Sequence, residues 1–225
     1  MQGQPDDPSD REASGSGGQG TGRAEIAVDR HFLGDPRALD VPPVESPFLE
    51  ALLAEAQVSD EIKDHARFYN EHGYVVLEDV FEPGLIDAIA DKYDWLFDPK
   101  TTFAGASRGV RALLAMDPSR KQDAWWVCDA IGQLACHPRI LELLQLFYGR
   151  RPIPFQTLNF LYGTEQPAHS DSIHFSSIPA RYMCGVWVAL EDVDGDNGPL
   201  HYYPGSHRLP DFDLHDLGLP ARMDS

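Results

Sequence analysis

Apolar positions recur at helical spacing through the first 150 residues and at strand-like spacing after them. Ser46 followed by Pro47 marks a helix start, with proline at the first helical position. Ser59 caps a second helix over "DEIKDHARFYNEH", residues 60–72, which Gly73 ends. "YVVLEDV", 74–80, reads as a short strand. Leu85, Ile89, Tyr93 and Leu96 share one face of a helix over 82–97. Residues 121–137 and 138–149 predict two further helices, the second opened by Pro138. After Gly149 come three β-type runs, at 153–163, 182–193 and 199–207. The predicted fold class is α+β: a helical layer against the outside of a sheet that opens a β-barrel or jelly roll.

Composition narrows this to one globular domain with a tail, since 225 residues at 42% hydrophobic content support a real core. Residues 1–24 are Gly, Ser, Asp and Gln with little to bury, and a disordered tail is expected there. Residues 25–58 form an N-terminal extension with a helix, and the domain proper is expected over 59–225. A formal net charge of −18 argues against nucleic acid or an anionic membrane as partner. No apolar run has membrane-spanning length, and the first residues lack the order of a secretory signal. A cytoplasmic enzyme is the resulting expectation. Cys128, Cys136 and Cys184 sit in apolar surroundings and read as reduced, buried thiols.

The chemistry concentrates in "QPAHSDSIHFSS", where His169 and Asp171 lie two apart. Such a pair is the short arm of the two-His-one-carboxylate set that binds non-haem Fe(II). On the pair alone a solvated loop with two hydrogen-bonding side chains is the better reading. Position favours the metal: the pair follows the run ending at 162 and the turn at Gly163, and precedes the run from 182. In that second run Met183, Gly185, Trp187 and Ala189 share a face, and the small residues beside Trp187 leave a hollow with an aromatic wall. Plain core is the competing role for Trp187. The other face, Tyr182, Cys184, Val186, Val188 and Leu190, is made for packing. Asp192, Asp194 and Asp196 alternate as in a calcium loop. Asn197 stands where glycine is needed and Tyr203 where the bidentate Glu belongs, so an acidic turn is predicted instead.

Taken in order, "NEHGYVVLEDVFEPGLIDAI", "HSD" and "GVWVALEDVDGDNGPLHYYPGSH" resemble the phytanoyl-CoA dioxygenase family over about residues 60–210. The resemblance implies an Fe(II)- and 2-oxoglutarate-dependent oxygenase on a double-stranded β-helix, here a partial one behind an N-terminal helical layer. It implies that His169 and Asp171 are two of three iron ligands and the catalytic residues. Trp187, Gln156 and Leu158 match positions that line the 2-oxoglutarate pocket, and Asn159 points to the opposite face. His207 matches a family feature that is not an iron ligand, and a turn-stabilising role is the better reading. His174 is either on the substrate side or an exposed loop residue. Asp171 favours hydroxylation over halogenation, because a related halogenating branch replaces this carboxylate with Ala or Gly. O2 and a small organic molecule would be the substrates, with Arg108 and Arg111 as anion contacts or surface ion-pair partners.

The family's third ligand is a distal histidine followed by an arginine, both well past the Pro-Gly-Ser-His turn. This chain runs 18 residues beyond His207, and that tail, with His215 and Arg222, has no strand pattern. The late barrel strands are therefore expected to be missing, leaving an incomplete oxygenase domain over 59–225. The alternative is a catalytically inactive binding or interaction protein that keeps the first half of the site. Unpaired strand edges in a half-barrel would lower stability or be relieved by self-association.

Overall fold

The computed structural model describes residues 41–163, 166–173, 175, 177 and 179–210. The predicted tail at 1–24, and His174, His215 and Arg222, lie outside the described residues. Local sequence sets the helices. Buried Ser46 accepts the Phe48 N–H at 3.1 Å, so a turn over Pro43–Glu45 comes first and α1 occupies Leu49–Glu55, two residues later than Pro47 suggests. α2 spans Asp60–His72 as expected: the Ser59 hydroxyl accepts the Ile62 N–H, and Gly73 closes the helix at φ +83°. The predicted 82–97 helix divides into α3, Pro83–Ala90, and α4, Tyr93–Phe97, at Asp91 and Lys92. A helix absent from the sequence reading, α5, covers Arg108–Ala115 under a Ser107 cap.

The expected 121–137 helix is three elements. Asp123 takes a left-handed φ of +55°, a region aspartate tolerates. Before it lies strand β1, Arg120–Gln122; after it come a tight turn at Ala124–Trp126 and helix α6, Asp129–Ala135. α7, Pro138–Tyr148, agrees with prediction, with proline at its start and Gly149 at φ +60° past its end.

The strands depart most from expectation. Among the described residues the sheet has two strands, β1 and β2 (Leu158–Phe160), antiparallel with Lys121 opposite Asn159. The runs at 74–80, 182–193 and 199–207 join no ladder. β-Propensity expresses a fit to neighbouring strands, and these runs have none here. The architecture is α+β with a small open sheet, and the described residues form no closed jelly roll.

Two apolar clusters lie under this surface. The first joins Val44, Leu49 and Leu53 to Ala66 of α2 and Leu143, Leu146 and Phe147 of α7. The second joins Ile89, Leu96 and Phe97 to Leu114 of α5 and Ile131 of α6. The 182–190 run crosses both: Tyr182 and Cys184 pack on the first cluster and Leu190 on the second. Tyr182, Cys184 and Leu190 thus turn inward, whereas Gly185, Trp187 and Ala189 are exposed, and so is Val186, which the sequence places on the packing face. The cysteines are all free thiols, although only Cys128 is fully buried. No helix among the described residues is long and apolar enough to cross a membrane.

Phe147 is 1% exposed at the centre of the first cluster. Phe147→Ala should cost about 3–5 kcal/mol. Urea denaturation of the two proteins measures this, and a cost below about 1 kcal/mol would contradict the packing described.

Candidate functional site

His169 and Asp171 come together. Asp171 opens a single tight turn, Asp171–Ile173, and its carbonyl accepts the Phe175 N–H at 2.9 Å. The His169 Nδ1 lies 2.8 Å from the Pro167 carbonyl oxygen, and its Nε2 lies 3.3 Å from Asp171 Oδ1. A carbonyl oxygen only accepts, so Nδ1 carries the proton and Nε2 is the nitrogen turned to the carboxylate. This is how a backbone carbonyl fixes the tautomer of a ligating histidine.

The other carboxylate oxygen, Oδ2, faces Gly185, where a Cβ built on the glycine would sit 3.7 Å away. Asp171 therefore looks onto the outward face of the 182–190 run. The Tyr148 hydroxyl holds that run in place by donating to the Met183 carbonyl at 3.1 Å. Burial pushes the pKa values of Tyr69, Tyr148 and Cys184 up, which keeps this cluster of hydroxyls and thiol protonated.

The remaining predicted residues lie on the runs before and after the pair. Trp187 is 48% exposed, on the face that Gly185 shares in an extended chain. Leu158 lies on the open face of β2 and Gln156 is half-buried just before it. The polar contacts of the pair described above engage Pro167 and each other, not these three. Asn159 is buried on the reverse face opposite Lys121, as its parity requires. The Lys121 ammonium donates to the Asp117 carbonyl and lies 5.6 Å from the Phe97 ring centroid, and burial lowers its pKa.

Sequence reasoning missed Tyr202. Its ring stacks on Tyr74 at 5.1 Å with the planes 6° apart. Its phenol pKa is raised, by burial first and then by Cys184 and Asp171. The only sequence signal was its place just before the Pro-Gly-Ser-His turn. The acidic turn is as predicted: Asn197 Oδ1 accepts the Asp194 N–H at 2.8 Å and its amide donates to the Asp192 carbonyl at 2.7 Å.

The Pro-Gly-Ser-His turn closes the C-terminus of α2. Gly205 N–H donates to the His72 carbonyl at 2.9 Å, and His207 Nε2 and Arg208 both donate to the Asn70 carbonyl. These are orphan acceptors at a helix end. Arg181 links the turn back to the layer below, binding the His207 carbonyl and the Glu45 carboxylate. His207 is thus turn-stabilising.

Among the described residues no group of three or more His, Cys, Asp and Glu side chains converges as a metal site. The donors present, one imidazole nitrogen and one carboxylate oxygen, suit Fe(II) as two of a facial three. The arrangement defines an α+β protein in which a His–Asp pair lies beside Gly185 of the 182–190 run. The family model for phytanoyl-CoA dioxygenase (PhyH) matches residues 69–221, and the chain belongs to that family. Phytanoyl-CoA dioxygenase domain-containing protein 1 of Mus musculus is 25% identical over 131 residues, covering 56% of this chain and 39% of that protein. The peroxisomal phytanoyl-CoA dioxygenase of Bos taurus is 22% identical over 162 residues, covering 65% and 48%. The Rattus norvegicus protein of the same name is 21% identical over 210 residues, covering 83% and 62%. The chain therefore spans between 39% and 62% of the length of these curated relatives. No solved structure matches it. The cytoplasmic expectation is overturned, because two of these relatives are named peroxisomal.

The clamp on α2 gives a stability prediction. A Cβ at Gly73 would lie 2.3 Å from His207 Nδ1, and Gly73 sits at φ +83°. His207→Ala should cost about 1–2 kcal/mol. Gly73→Ala should cost more than about 1 kcal/mol from the backbone alone, with the ring clash added. The double variant loses the clash, so the two costs should fall short of their sum in denaturant unfolding. Strict additivity would show that the imidazole does not rest on Gly73.

Proposed function

We propose that residues 59–225 carry the first part of an Fe(II)- and 2-oxoglutarate-dependent dioxygenase site that hydroxylates a small organic substrate. His169 Nε2 and Asp171 are two metal ligands, and Gln156, Leu158 and Trp187 border the cosubstrate. The domain completes as a double-stranded β-helix when late strands are supplied. The observation that carries this reading is the 3.3 Å between Nε2 and Oδ1, with Nδ1 already committed to Pro167. Adjacent corners of an octahedron with bonds near 2.1 Å are separated by roughly 3 Å. Bound iron would supply the redox chemistry that couples O2-dependent decarboxylation of 2-oxoglutarate, to succinate and CO2, to hydroxylation. The chain's own residues orient the imidazole through Pro167, hold a neutral nitrogen toward the metal, and give one negative charge against it.

The presence of two donors rather than three among the described residues favours a second reading, a binding protein that keeps the pocket without turnover. Anaerobic Mn(II) titration followed by electron paramagnetic resonance separates the two. Metal binding that 2-oxoglutarate tightens, and that falls by roughly a hundred-fold in His169→Ala, supports the oxygenase site. Equal binding by His169→Ala, or none by the parent chain, removes it.

Self-association belongs to the same proposal. Ile153, Phe155, Tyr162, Tyr203 and Leu209 are exposed apolar side chains in a segment with little ladder pairing. Sedimentation velocity should show a mass that rises with concentration. A monomer throughout would count against it.

A further inference from the structure

Residues 150–155 read "RRPIPF" and follow Gly149 out of α7. Prolines at 152 and 154 hold the residue before each in extended backbone. Exposure alternates along the segment: Arg151, Ile153 and Phe155 are exposed, whereas Pro152, Pro154 and Gln156 are half-buried. Ile153 is 78% exposed and Phe155 60%. The outward stripe is thus a guanidinium followed by two large apolar side chains. The prolines donate no backbone N–H, so the segment is blunted as an edge for strand addition and offers its side chains instead. Its backbone is set before anything binds, which lowers the ordering cost of association.

The stripe is cationic at one end, in a chain with 36 carboxylates to 18 Lys and Arg. Arg67, Arg139 and Arg181 each lie against a carboxylate. Among the described residues Arg150 and Arg151 form no ion pair; Arg150 rests over the Tyr182 ring, 4.3 Å from its centroid. The acidic turn is the counterpart. Asp192, Asp194 and Asp196 are exposed and likewise without an ion pair among the described residues. Asn197 shapes the turn through Asp192 and Asp194, and the Asp194 carboxylate accepts the Asp196 N–H at 2.8 Å. Leu200, 48% exposed, follows it. Each surface therefore joins charge to apolar area, with opposite sign.

We propose that the 150–155 stripe of one copy of this chain docks on the acidic turn, Asp192–Asp196, of a second copy. The assignment rests on the self-association reading and names the two surfaces that meet; it does not depend on the oxygenase reading. Copies of net charge −18 repel one another overall, so contact is favoured where opposite charges face each other. Ile153 and Phe155 supply the apolar centre, and the guanidinium–carboxylate contacts at its rim set the register.

Sedimentation velocity of the full 225-residue chain and its variants, all at one salt concentration, tests this. Arg150→Glu with Arg151→Glu, and separately Asp192→Arg with Asp196→Arg, should each weaken assembly roughly ten-fold or more. Ile153→Ser with Phe155→Ser should weaken it without any change of charge. Arg108→Glu with Arg111→Glu alters net charge as much as the first pair but on α5, and should stay within about three-fold of the parent. An equal mixture of the two charge-reversed pairs should assemble as the parent does, because the acidic stripe of one meets the basic turn of the other. Matching thermal melts by circular dichroism show that each variant folds. Assembly undiminished in the charge-reversed variants, or a mixture that stays monomeric, overturns the proposal and leaves self-association through other surfaces standing. A parent chain that is monomeric at every concentration overturns both.

Discussion

The inward face of the 182–190 run is the constraint on which the site depends. Tyr182 and Cys184 pack, partly buried, against the first apolar cluster and Leu190 against the second. One short segment therefore bridges two separately packed groups of helices. The Tyr148 hydroxyl fixes its register through the Met183 carbonyl. In an extended chain a slip of one residue would turn Gly185 inward and Cys184 outward. With the register set, the one position lacking a side chain stands where the Asp171 carboxylate approaches.

That approach explains why a pair so ordinary in sequence is chemically distinct in space. His169 and Asp171 are both partly open to solvent, and an exposed His–Asp contact contributes little to stability by itself. Its interest lies in the direction of the atoms. Pro167 takes the Nδ1 proton, so the nitrogen facing Asp171 has only its lone pair or a second proton to offer. A proton shared there or a cation held there satisfies both groups. The same arrangement makes the pair sensitive to Pro167, whose carbonyl sets which imidazole nitrogen faces Asp171.

Helices were readable from the sequence because their signals are local. Ser59 with Gly73, and Pro138 with Gly149, mark the ends of α2 and α7 without reference to anything distant. Errors arose where one residue changed the backbone: Asp123 at φ +55° ended a helix that apolar spacing carried straight through. The polar trio Arg120–Gln122 offered no strand pattern, and its pairing with Leu158–Phe160 is set by tertiary contact. In the 182–193 run alternation placed Tyr182, Cys184 and Leu190 on the packing side correctly and Val186 incorrectly, and the ladders expected at 74–80, 182–193 and 199–207 do not form. Inside and outside follow from side-chain parity, whereas ladder bonds need a neighbour. His169 and Asp171 were visible as a motif; Tyr202 was not, because its importance comes from Tyr74, 128 positions earlier in the chain. Composition and charge misled on location, since they describe solubility and contain no address.

The segment from 151 to 210 shows how a chain with little strand pairing is kept in one arrangement. Its backbone is tied to the helical layer one contact at a time. The Tyr182 hydroxyl reaches the Val41 carbonyl at 3.0 Å, Arg150 lies over the Tyr182 ring, and Arg181 reaches Glu45. Gly205, His207 and Arg208 occupy the last carbonyls of α2. Each is a side-chain or turn donor meeting an acceptor that a helix end or loop leaves open. Ladder bonds distribute order along a strand, whereas these ties localise it at a few points. The outward face between them is left to respond to what binds there. Order in the site half is thus borrowed from α2 and α7, and fraying at the C-terminus of α2 would release the Pro-Gly-Ser-His turn and, with it, the Tyr202 ring stacked on Tyr74.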